Sequence, residues 1–228
     1  MGWPNNFVQG VYNALGSLIA VEDGAGGQIG LASTYTWATK PLASAYIGTA
    51  FISDIGEVNG ATTGSYWISN GTEWKPLNGR CVLYSSAVAG SSVTGAGPFT
   101  VLTKSLAGGL LGLNGSLRIS AKATIGITTT QSVVYYKIGG VNCAGIGTGV
   151  MAAGSGMGHF IEINNRNSHS VKIGPNGLPS GTGTSSGVAF TTATIDTSTT
   201  QDITITVTPG NAANTYLLEQ YVIEIVNN

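Results

Sequence analysis

The sequence predicts an all-β protein in which a small N-terminal β module is followed by a C-terminal jelly-roll β-sandwich. Three observations carry that prediction. Apolar and polar side chains alternate in runs such as Ile203/Ile205/Val207 against Asp202/Thr204/Thr206, and in Phe160-Ile161-Glu162-Ile163. A period of two marks a strand with one buried face. Short strand-like runs recur at residues 117–122, 133–138, 160–166, 171–173, 188–195, 202–207 and 216–226, separated by small-residue loops. Even strand-and-turn spacing with almost no helical pattern belongs to a sandwich or jelly roll. Upstream, Asn70-Gly71 stands between two short aromatic-rich runs. That pair signals a hairpin, because both central positions of a type I′ turn take positive φ.

In chain order, residues 1–41 read as an extended N-terminal anchoring arm. Residues 7–15 are weakly amphipathic, Gly16 would stop any helix there, and residues 22–28 are turn-rich. Such an arm cannot bury Trp3, Phe7, Leu15, Leu18, Ile19 and Trp37 by itself, so these six are its candidate anchoring residues. They would seat on another chain; the plainer alternative is a terminal strand and loop of the same domain. Residues 42–84 form the small β-hairpin module, with Trp67 and Trp74 as an aromatic pair across the hairpin. A unit of so few strands needs a partner to be stable. Residues 85–98, rich in Gly, Ser and Ala, read as a linker. Residues 99–228 are the head domain, whose first strand and turn carry Leu106, Leu110, Leu111 and Leu113 between glycines.

Composition narrows the function classes. Only 8% of residues are charged, against about 25% in an ordinary soluble domain. Disorder goes with low hydrophobicity and high net charge, whereas this chain is 42% hydrophobic with a net charge of −1. It is therefore expected to fold. A surface of Ser, Thr, Asn and Gly is poorly protected against self-association, so much of it is expected to be covered by copies of itself or by a larger assembly. Nine scattered basic residues make no nucleic-acid patch. No apolar run approaches the roughly 18 residues of a membrane span, and no signal peptide is evident. Cys81 and Cys143 are expected to be separate thiols.

No constellation for catalysis or cofactor binding stands out. His159 and His169 are the two histidines, and neither has a second Cys or His at metal spacing. No metal, cofactor or catalytic residue is expected. Asp54 with Glu57, or Glu162 with Glu224, would be the carboxylate pairs of a glycosidase, but nothing fixes their separation, and acidic residues on the polar face of strands are usually just solvated. Gly139-Gly140, Gly145-x-Gly147 and Gly154-x-Gly156-x-Gly158 lack the Lys-Ser/Thr of a phosphate loop and read as loop glycines. Tyr135, Tyr136, Trp67 and Trp74 are candidates for a carbohydrate platform, although packing in the core or in a trimer contact is the expected role of each. Receptor contact is otherwise expected in the loops around residues 145–158 and 174–187.

Two stretches carry a family resemblance. Gly48-Thr49-Ala50-Phe51-Ile52-Ser53-Asp54-Ile55-Gly56, followed by Trp67-Ile68-Ser69-Asn70-Gly71-Thr72-Glu73-Trp74-Lys75-Pro76-Leu77-Asn78-Gly79, resembles a module of tailed-bacteriophage fibre and minor structural proteins. The downstream half, with Leu117-Arg118-Ile119-Ser120, Phe160-Ile161-Glu162-Ile163 and Leu217-Leu218-Glu219-Gln220, is similar to phage jelly-roll domains. The resemblance covers residues 45–228. It implies a homotrimeric, non-enzymatic virion protein assembled in the host bacterial cytoplasm. Its N-terminal arm would join capsid, neck or tail proteins, and its jelly roll would face outward. No heptad shaft or collagen-like repeat is present, so a short fibre or decoration protein is expected. The alternatives are a receptor- or glycan-binding tail-fibre tip, with a host cell-surface glycan as partner, and a polysaccharide hydrolase.

Overall fold

The structure is a computed structural model that describes residues 9–12, 18–22, 28–29, 33–127, 130–148, 151–176 and 189–226. It is all-β; the described residues contain no α-helix, only a 3-10 turn at Ala43–Ala45. Two compact units emerge, one of Met1–Gly56 with Thr62–Asn78, the other of Glu57–Ala61 with Gly79–Asn228. Residues 57–61 and 79–84, expected in the small module, thus belong to the larger unit.

The smaller unit opens with β1 (Gln9–Tyr12), β2 (Leu18–Glu22) and β3 (Gln28–Ile29), which pair antiparallel in that order. The segment expected as an extended arm therefore has strand pairing of its own. Next come β4 (Ser33–Tyr35) and β5 (Ile47–Ile52), then β6 (Glu57–Val58) and β7 (Ala61–Thr62), then β8 (Ser65–Asn70) and β9 (Trp74–Pro76). A second sheet runs β4-β5-β8-β9, with β4 parallel to β5 and the other pairs antiparallel. Its strands are short, so aromatic side chains fill the core. Trp37, Trp67 and Trp74 are buried. The Trp37 ring meets Trp67 edge-on at 5.0 Å, and Trp74 stacks on Tyr46 at 5.3 Å. The expected Trp67–Trp74 pair does not form, because the register sets Trp67 opposite Pro76 and Trp74 opposite Ser69.

The Asn70-Gly71 hairpin is present, but its turn is not type I′: Gly71 has φ +85°, whereas Asn70 keeps negative φ. The Asn70 carboxamide oxygen instead accepts from the Thr72 and Glu73 amides, each at 2.9 Å, and closes a wider loop. The two-residue turn with both φ positive occurs at Gly139-Gly140 (φ +56° and +78°), where Ile138 pairs with Val141. Asn59 and Gly60, at φ +49° and +85°, make the same turn between β6 and β7.

The larger unit continues with β10 (Arg80–Ser86), β11 (Val93–Thr94), β12 (Phe99–Leu106), β13 (Ser116–Ile127) and β14 (Val133–Ile138). It is completed by β15 (Val141–Gly147), β16 (Met151–Asn165), β17 (Val171–Asn176), β18 (Ala189–Thr194), β19 (Gln201–Thr208) and β20 (Thr215–Val226). The hydrogen-bonded order is β12-β19-β14-β15-β17-β16-β13-β20-β10-β6-β7, with β11 also on β20 and β18 on β17. Among the described residues a single pair, Gly145 with Asn176, joins β15 to β17. Eight of its strands thus form two groups of four, β12-β19-β14-β15 and β16-β13-β20-β10.

Alternation decides which face each group buries. Val134, Tyr136, Ile138, Ile203, Ile205 and Val207 are buried in the first group; Leu117, Ile119, Ile161, Ile163, Ile223 and Ile225 are buried in the second. Burying one such aliphatic side chain is worth about 1.5–3 kcal/mol. The Tyr136 ring of the first group lies 6.2 Å from the His159 ring of the second, so the two inner faces meet. The expected linker at 85–98 is built into this unit. Ser85 and Ser86 pair with Val222 and Tyr221, and Val93-Thr94 pair with Tyr216 and Thr215. Cys81 and Cys143 are both buried thiols.

Candidate ligand site on an outer sheet face

The outward positions of β16, β13 and β20 line up in transverse rows set by the strand register. One row is Phe160-Ser120-Val222, and the next is Gly158-Lys122-Gln220. Inward neighbours such as Ile161, Ala121 and Ile223 are buried, so parity turns these six outward. Large side chains at Phe160 and Val222 flank a small one at Ser120, and Gly158 contributes no side chain. The result is a depression of about 320 Å³ bounded by Ser120, Lys122, Gly158, Phe160, Gln220 and Val222. Phe160 is 60% exposed, an unusual position for a phenylalanine whose strand neighbours His159 and Ile161 are buried.

The row on the other side of Phe160 is Glu162-Arg118-Glu224. Arg118 Nε donates to Glu162 Oε2 at 2.8 Å, and Arg80 Nη2 donates to Glu224 Oε2 at 2.6 Å. Beyond the Lys122 row, the Thr124 hydroxyl donates to Glu219 Oε1 at 2.6 Å. The acidic and basic groups of these flanking rows are therefore engaged with one another. Lys122 is exposed and, among the described residues, has no carboxylate within ion-pair distance.

The residues expected from sequence to carry function fall elsewhere. Trp3, Phe7 and Leu15 lie outside the described residues. Leu18 and Ile19 lie in β2, with side chains outside the description. Trp37, expected on the arm, is packed in the core of the small unit. Trp67, Trp74 and Tyr136 are core residues and offer no platform to a sugar, and Tyr135 is half-buried. Asp54 Oδ1 accepts the Trp37 amide at 2.7 Å, and Glu57 is ion-paired with Lys104. Glu162 and Glu224 flank Arg118 and are each held by an arginine. Gly154, Gly156 and Gly158, expected in a loop, lie within β16, since their spacing of two puts all three on one strand.

His159 points into the core and is 4% exposed. Burial disfavours its imidazolium and lowers its pKa from 6.5 to about 4, so it is neutral at pH 7. Its ring faces Tyr136 and Tyr216, whose hydroxyls burial holds protonated. The described residues contain no group of three or more potential metal ligands.

The sequence reading missed Phe160 as a surface aromatic. The signal was available: in Phe160-Ile161-Glu162-Ile163 the parity that buries the two isoleucines places Phe160 with Glu162 on the outer face. Compared with protein-family models, curated proteins and solved structures, the chain matches none.

Proposed function

We propose that this chain is a non-enzymatic structural protein of a tailed-bacteriophage particle: a homotrimeric short fibre or decoration protein with a jelly-roll head. The observation that carries the reading is strand order. Numbering β10, β12, β13, β14, β15, β16, β19 and β20 from one to eight by chain position, the two four-stranded groups read 1-8-3-6 and 2-7-4-5. That order supports two interleaved Greek keys, the arrangement of jelly rolls in viral capsid and lectin domains. The β17–β18 hairpin is then an insertion between the sixth and seventh strands. The low charge of the chain supports a surface meant for an assembly, and its N-terminal residues would attach it to capsid, neck or tail proteins.

Cryo-electron imaging of assembled particles, combined with sedimentation of the purified full chain, tests the reading. Expected are three-copy assemblies in solution and copies at capsid axes or on the tail. A stable monomer, or absence of the protein from every particle, would sink it.

A further inference from the structure

We infer that the depression on the outer face of β16, β13 and β20 binds an acidic saccharide, a pyranose ring carrying a carboxylate. Three features select this class of ligand. At about 320 Å³ the site falls at the small end of the ~300–1,000 Å³ range of small-molecule pockets. A volume of this size suits one sugar residue or two.

Its chemistry matches a sugar. The exposed Phe160 ring offers a flat apolar face to ring C–H groups, while the Ser120 hydroxyl and Gln220 amide offer donors and acceptors to hydroxyls. Its charge is unspent. Arg118 and Arg80 on the same face are neutralised by Glu162 and Glu224, but Lys122 meets no carboxylate among the described residues. A ligand carboxylate would supply the missing charge, in a charge-assisted hydrogen bond. This inference stands apart from the virion reading, because binding is measured on the protein by itself.

The test uses the full chain on an array of uronate- and sialate-bearing glycans printed beside their neutral counterparts, followed by calorimetry with the best ligand. Carboxylated members are expected to be retained over neutral ones. Phe160→Ala and Lys122→Gln should each weaken binding about tenfold, the scale of losing one charged or stacked contact. Gly158→Leu should abolish it, since a Cβ at Gly158 meets no atom within 4 Å and the new side chain can fill the depression without disturbing the fold. Lys137→Gln, on β14 in the other strand group, should change nothing. Circular dichroism and thermal melting establish that each variant is folded.

No retention of any glycan overturns the inference, as does retention insensitive to Gly158→Leu and Phe160→Ala. Equal binding of neutral counterparts with no effect of Lys122→Gln overturns the acidic assignment. Dissociation of an oligomer by Phe160→Ala, without glycan binding, would make this face a contact between copies of the chain and also overturn it.

Discussion

The small unit buries its aromatic residues with their polar atoms satisfied, whereas the large unit buries several with those atoms left alone. In the small unit the Trp67 indole donates to Ser65 Oγ at 2.8 Å, the Trp74 indole to the Pro41 carbonyl at 3.0 Å, and the Tyr46 hydroxyl to the Thr49 carbonyl at 3.0 Å. In the large unit the Tyr136 hydroxyl, the Tyr216 hydroxyl and both His159 nitrogens are buried without a hydrogen-bond partner among the described residues. Each such orphan costs about 1–3 kcal/mol. Long strands with a continuous aliphatic inner face can carry that cost. A unit of two- to six-residue strands has little surplus, so its polar atoms must be paired. Size decides how much imperfection a core tolerates.

The comparison is sharpest at the tryptophans. Trp37, Trp67 and Trp74, the tryptophans among the described residues, belong to the smaller unit, so their indole fluorescence reports on that unit. Trp67→Ala should destabilise it by about 3–5 kcal/mol. In urea titrations the fluorescence transition should move to lower denaturant, while the circular-dichroism transition of the large unit stays in place. A common shift of both signals would mean that the two units unfold as one.

Acid should break the large unit at its orphaned histidine. His159 titrates near 4 in the fold against 6.5 for an ordinary histidine, so the unfolded chain takes up the proton first. The stability associated with neutral His159 is complete above pH 6.5 and is lost as pH falls from 6.5 towards 4, by about 3 kcal/mol in all. The groups facing it, Tyr136 from β14 and Tyr216 from β20, are uncharged throughout this window and offer no compensation. Replacing the ring by His159→Leu should flatten this part of the stability–pH curve. Parallel curves for the two proteins would refute the assignment.

The smallest effects have opposite signs in the two units. Ser65→Ala takes away the acceptor of the Trp67 indole and should cost about 1–3 kcal/mol. Tyr216→Phe removes an orphaned hydroxyl and should be neutral, or stabilising by about 1 kcal/mol. Chemical denaturation of the two variants compares them directly, and a loss on Tyr216→Phe would reveal a partner for that hydroxyl.

Period-two alternation was legible in the sequence because a strand has only two faces. Ile203, Ile205 and Val207, and Ile161 and Ile163, were read as strand positions and lie in β19 and β16. Pairing between distant segments was not legible, since period two reveals a face and not a neighbour. The residues at 85–86 and 93–94 look like linker by composition, yet their backbone groups extend the sheet along β20. Nor did local turn chemistry settle turn type. Asn70-Gly71 carries the stronger local signal, but the side chain of Asn70 captured two backbone amides and widened the loop, while Gly139-Gly140 and Asn59-Gly60 took the tight turns. The candidate site was half legible. Phe160 could be placed on the outer face by counting, whereas its row-mates Ser120 and Val222 come from strands about forty and sixty residues away, joined only by register.

The position of β20 has a consequence for how the protein is made. It lies between β13 and β10, and its contacts reach far back along the chain: Glu224 to Arg80 across 144 residues, and Glu219 to Thr124 across 95. On the ribosome β10 and β13 emerge long before their shared neighbour, by on the order of ten seconds at ordinary elongation rates. Until β20 arrives, both present open edges, the surfaces through which strands of separate chains pair. The four-stranded layer therefore closes in one late step, and the nascent protein passes through a period of exposure to aggregation that the finished fold conceals.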